Sequence, residues 1–166
     1  MSEIEFKKKI YDKLLNSYNK WIIIGILGCF LLTFGSTIGT IIFTEIWVPR
    51  FKNLTPRLIG SFRYIFQVTS YFVLAGVIIA LISLIFFVLR YYRTGSLVML
   101  IGLIIALLAV FLYFFGAVEA AAEYTRTGEK INVFLPLLTI NFTFEVIGLI
   151  LNFLSRAKLT AQRLYQ

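Results

Sequence analysis

The chain contains no histidine and a single cysteine, Cys29. Those absences exclude histidine-ligated haem, conventional zinc sites, Ser-His or Cys-His catalysis, CxxC redox chemistry and any intrachain disulfide. Charge is scarce as well: 14% of the 166 residues are charged and only eight are acidic. A soluble domain carries about a quarter charged residues. What is present instead is apolar, with 60% hydrophobic residues and a mean hydropathy of +0.89. No soluble core of this length holds that excess, so the composition predicts an all-α integral membrane protein. An enzyme is the poorest reading, and neither a cofactor nor a metal-ligand set is expected.

Four stretches are long enough to cross about 30 Å of hydrocarbon as helix, which takes about 20 residues. They are 21–44, 64–89, 97–117 and 133–154. The first three contain no charged residue and the fourth contains one, Glu145. Lys20, Arg63, Arg90, Arg93, Lys130 and Arg156 flank them. The expected architecture is an antiparallel four-helix bundle forming a single membrane domain over residues 1–166.

The positive-inside rule orients this bundle. One side carries Lys7, Lys8, Lys9, Lys13, Lys20, Arg90, Arg93, Arg156, Lys158 and Arg163, against Glu3, Glu5 and Asp12. The other carries Arg50, Lys52, Arg57, Arg63, Arg126 and Lys130, against Glu45, Glu119, Glu123 and Glu129. Both termini are therefore expected at the cytoplasmic face of the cell membrane. Trp21, Tyr91 and Tyr92 on the inner border and Trp47 and Tyr124 on the outer one suit interfacial anchors. The first apolar run is longer than a signal-peptide core and reads as a retained span.

Outside the spans, residues 2–20 read as an amphipathic helix on the inner surface. Ser2 and Glu5 have capping-box spacing. Ile4, Ile10, Tyr11, Leu14, Leu15 and Tyr18 recur with helical period, opposite Lys8, Lys9, Asp12, Lys13 and Asn16. Anionic lipid headgroups are its expected partner, a cytoplasmic protein the alternative. The outer segment 45–63 carries Pro49 and Pro56, and is too apolar for a free loop and too interrupted for a span. It is expected along the outer surface or against a neighbouring subunit. Asn53 heads a formal glycosylation sequon there. Residues 90–96 join spans two and three as antiparallel neighbours. The third helix is expected to continue to about Tyr124, with Glu119, Glu123 and Arg126 as a solvated end and Thr127-Gly128 as a turn. The tail, 155–166, reads as a cytoplasmic helical continuation.

One constellation goes beyond topology. Asn141, Glu145, Gly148 and Asn152 recur at i, i+4, i+7 and i+11, on one face of the fourth span. Glu145 lies about 18 Å from the outer end at 1.5 Å per residue, near the midplane. A carboxylate at that depth costs about 2.5–3.5 kcal/mol on insertion scales, so it must take up a proton or meet a partner. Span one offers Gly25, Cys29, Thr33, Ser36 and Thr40 in a similar stripe, with Thr33 about 17 Å deep and level with Glu145. Gly35 and Gly39 form a small-xxx-small pair, while Gly76 and Ala80 leave room in span two. Spans one and four are accordingly expected to pack together, with Glu145 bonded to Thr33 or a neighbour. No Lys or Arg lies inside a span, so the other source of a partner is a second polypeptide.

Two functions follow. Small size, four spans and apolar outer segments suit a non-catalytic subunit that supports assembly of a larger membrane complex of respiratory, transport or secretion type. The alternative is a homo-oligomeric transporter or channel coupled to protons or cations through Glu145. Expected partners are the bilayer and other membrane subunits. Nucleic acid is not among them, because the +8 charge flanks the spans. The cysteine pattern of tetraspanins and claudins is missing, as are the histidines of four-helix cytochromes.

Overall fold

In a bilayer every backbone polar group needs an internal partner, so long apolar runs become helices. The computed structural model describes residues 3–42, 56–126 and 134–161, and these form four helices. They are α1 (Glu3–Ile41), α2 (Pro56–Val88), α3 (Tyr92–Arg126) and α4 (Phe134–Ala161). Each contains a segment long and apolar enough to cross a membrane: Asn16–Ile41, Gly60–Val88, Tyr92–Ala120 and Ile140–Ala161. The fourth has the lowest mean hydropathy, 1.2 against 2.1–3.0 for the others. It is the helix that carries Asn141, Glu145, Asn152, Arg156 and Lys158.

Several boundaries differ from the sequence expectation. Residues 3–20 run into the first span as one helix, with no break before Trp21. Residues 56–63, expected as part of an outer surface segment, are instead the first two turns of α2. Pro56 does not interrupt there. It occupies the first helical position, where its missing N–H has no intrahelical partner to lose. Residues 45–55, with Pro49 and the Asn53 sequon, lie outside the described residues, as do Thr127-Gly128.

The α2–α3 connection is shorter than the seven residues expected. Tyr91 N donates to Phe86 O at 2.8 Å and Arg90 N to Phe87 O at 2.9 Å. This paired bonding is a Schellman ending, which places Arg90 at the left-handed position usually held by glycine. Its φ is 64°. Gly95 N then donates to Tyr91 O at 2.8 Å and opens α3. The Tyr18 hydroxyl of α1 also donates to Phe87 O, and its ring meets Tyr92 edge-on at 6.5 Å. The first helix thus clasps the turn between the next two.

Packing is organised around two helix pairs. α2 contacts α3 most extensively and α1 contacts α4 nearly as much, while the α1–α2 and α3–α4 contacts are smaller. Association in lipid rests on close approach of backbones, which small residues permit. A Cβ added at Gly76 would stand 2.7 Å from Gly102 O, and one added at Gly102 would stand 2.7 Å from Gly76 O. The two backbones therefore touch at that crossing. Cys29, Leu32, Val77, Leu84, Met99 and Leu103 are buried where the pairs meet. Large apolar side chains cover the outer faces, among them Phe30, Phe72, Phe115 and Ile150.

Candidate functional site

The α1–α4 seam sets the position of Glu145. Gly25, Gly28, Leu32, Gly35 and Gly39 recur at alternating spacings of three and four, which is one helix face. On α4 the facing residues are Asn141, Glu145, Gly148, Asn152 and Ser155, with the same alternation. A Cβ at Gly148 would lie 2.7 Å from Gly28 O and 2.8 Å from Leu32 N, so the backbones touch here too. Added Cβ atoms at Gly25, Gly35 and Gly39 would meet Ser155 Oγ at 2.8 Å, Glu145 Cγ at 2.9 Å and Asn141 Nδ2 at 3.1 Å. These pairs run in opposite chain directions, so the two helices are antiparallel. Gly28, against Gly148 and Asn152, is the close-contact position that the expected packing glycines did not include. Its seven-residue spacing to Gly35 was the available signal.

Within this seam Glu145 is fully buried, at 0% exposure. Neither carboxylate oxygen has a hydrogen-bond partner among the described residues. One turn away, Asn141 is 1% exposed. Its Nδ2 donates to Tyr113 Oη at 3.2 Å, while its Oδ1 has no partner. Tyr113 is fixed by an edge-on contact with Phe66 of α2, centroids 5.0 Å apart. Three buried acceptor oxygens therefore sit on one turn of α4, walled by glycines of α1 and by Tyr113 of α3. Leaving such groups unpaired costs about 1–3 kcal/mol each, more if charged. A proton on the carboxyl would turn one of these oxygens into a donor, and a small cation would draw on the acceptors directly.

The expected bond from Thr33 to Glu145 is absent. Thr33 Oγ1 donates to Cys29 O of its own helix at 3.0 Å. Ser36 Oγ donates to Ser70 Oγ of α2 at 3.1 Å, and Thr40 Oγ1 is also hydrogen-bonded to Ser70. The hydroxyl stripe thus faces α2, and the glycines face α4. Ser70 and Tyr113 are the partners that the sequence did not reveal. Asn152 belongs to the seam but is satisfied: its Nδ2 donates to Gly148 O at 2.9 Å, and its Oδ1 accepts from Cys29 Sγ at 3.5 Å. Ser155 Oγ donates to Trp21 O at 2.7 Å, tying the same two helices together further along. Because Glu145 is enclosed by its own chain, a second polypeptide cannot supply its partner without parting the seam.

The arrangement defines a class, a multi-pass α-helical membrane protein with an acid buried in the bundle interior. Comparison of the chain with protein-family models, with curated proteins and with solved structures finds no match to any of them.

Proposed function

We propose that the chain is a small non-catalytic subunit of a larger membrane assembly, with both termini cytoplasmic. The observation that carries this reading is how polarity is distributed across the helices. Most of the polar side chains in the spans turn inward onto other helices or their own backbones, whereas all four helices present large apolar side chains outward. A surface of that kind offers contact to lipid and to other membrane helices. Photo-crosslinkers at Phe30, Phe72, Phe115 and Ile150 in native membranes test it. The reading expects a discrete adduct with a different polypeptide from at least one of these faces. Lipid adducts alone from all four would refute it.

A second reading rests on the three unpartnered oxygens of Glu145 and Asn141. They support proton or cation handling by the chain itself. That reading predicts that Glu145→Gln, which keeps the size and removes the charge, abolishes ion-dependent flux in proteoliposomes while leaving the fold intact. Undiminished flux in that variant would remove it.

A further inference from the structure

The α3–α4 groove holds two cavities in series. The first, of about 240 Å³, lies at the α3 start and is lined by Tyr92, Arg93, Ser96, Leu97, Arg156 and Thr160. The second, of about 210 Å³, is bounded by apolar residues that include Leu107, Phe111, Val146, Leu149 and Phe153. Helical periodicity places both along one continuous face of each helix. Arg93 and Leu107, like Leu97 and Phe111, are fourteen residues apart, within about 40° of the same direction. On α4, Val146, Leu149, Phe153, Arg156 and Thr160 step by three and four. The groove is therefore basic where the spans end and purely apolar deeper in.

Arg156 is held in place by donating its Nε to Ser96 O at 2.9 Å, which leaves the two terminal nitrogens of its guanidinium for a ligand. Arg93 approaches the same cavity from α3. Neither 90–118 nor 146–166 contains an acidic residue, so no carboxylate in these stretches competes for the two cations. Guanidinium pairs suit phosphate oxygens. Along α4, Val146 in the apolar cavity lies about 15 Å below Arg156 at 1.5 Å per residue. That is the depth of one leaflet of a hydrocarbon core of about 30 Å. Leu97, at the rim, is 60% exposed and leaves the basic cavity open toward the lipid.

We infer that the α3–α4 groove binds one anionic phospholipid, with its phosphate between Arg93 and Arg156 and an acyl chain in the apolar cavity beneath. The lipid fills one of the two sides of the bundle where helix contact is smaller, joining α3 to α4.

Native mass spectrometry of the delipidated full chain in mild detergent tests this, titrated with phosphatidylglycerol, phosphatidylcholine, glycerol phosphate and inorganic phosphate. The expected result is one tightly held phosphatidylglycerol and markedly weaker binding of phosphatidylcholine. Arg93→Gln and Arg156→Gln should each weaken phosphatidylglycerol by about fivefold. Equal affinity for both phospholipids would overturn the proposal. So would glycerol phosphate or inorganic phosphate binding as tightly as the lipid, which would mark a free-phosphate site. Arg93 is exposed, so its variant provides the readout even if Arg156→Gln fails to fold. Unchanged lipid affinity in folded Arg93→Gln would also overturn it.

Discussion

Adding one methyl group at Gly148 tests whether backbone contact holds α1 to α4. An alanine there would place its Cβ 2.7 Å from Gly28 O and 2.8 Å from Leu32 N. Both obstacles are backbone atoms and cannot swing aside as a flexible side chain would. Ordinary contact begins near 3.4 Å, so the helices must separate by several tenths of an ångström along the seam. Overpacking of that kind costs about 1–3 kcal/mol. Alanine recovers up to about 1 kcal/mol through its helix propensity. The net expectation is a loss of up to about 2 kcal/mol, and a variant about 1–3 kcal/mol less stable than one in which the methyl meets nothing. Gly60 of α2 provides the control, because an added Cβ meets nothing within 4 Å. Gly60→Ala makes the same chemical change and should raise stability by up to about 1 kcal/mol. Reversible unfolding of both variants in mixed micelles measures the pair. If Gly148→Ala were as stable as Gly60→Ala, the helices would not be in backbone contact at Gly28.

Three further outcomes follow from named contacts. Glu145→Met replaces an unpartnered buried acid with an apolar side chain of similar length, and should raise stability by about 1–3 kcal/mol. A loss of stability would mean that the carboxyl has a partner in the folded bundle. Arg90→Gly relieves a left-handed backbone at the α2 ending and should stabilise by about 1 kcal/mol, read as a rise in melting temperature. An unchanged or lower melting temperature would contradict the turn geometry. Tyr18→Phe removes the hydroxyl that reaches Phe87 O and should cost about 1 kcal/mol in the same unfolding assay. No loss would show that α1 does not clasp the α2–α3 turn.

The four spans were legible in the sequence because lipid leaves long apolar runs little choice but helix. Their ends were less so. Pro56 looked like an interruption, but a proline breaks a helix only from its interior and is at home in its first position, where α2 begins. The glycines at 35, 39, 76 and 148 were visible as packing positions, and all four meet another helix. The hydroxyl residues misled. Thr33, Ser36 and Thr40 repeat like a contact stripe, yet threonine and serine in membrane helices can bond to the preceding turn of their own backbone. Thr33, Thr37 and Thr69 do so. Polar spacing therefore did not identify the facing helix, whereas the need for close backbone approach did. Tyr113 was missed among abundant aromatics. Its depth, about 10 Å inside the end of its span at Ala120, was hidden by the expected end at 117, which set it about 6 Å from the border, where tyrosine is common.

The subunit reading is tested most directly by the composition of the particle that this chain forms in its own membrane. Gentle solubilisation followed by native mass spectrometry and peptide identification gives both mass and constituents. The account predicts a stoichiometric particle that includes different membrane polypeptides. A particle built only of this chain, alone or as a homo-oligomer, would contradict it and shift the weight to ion handling at Glu145.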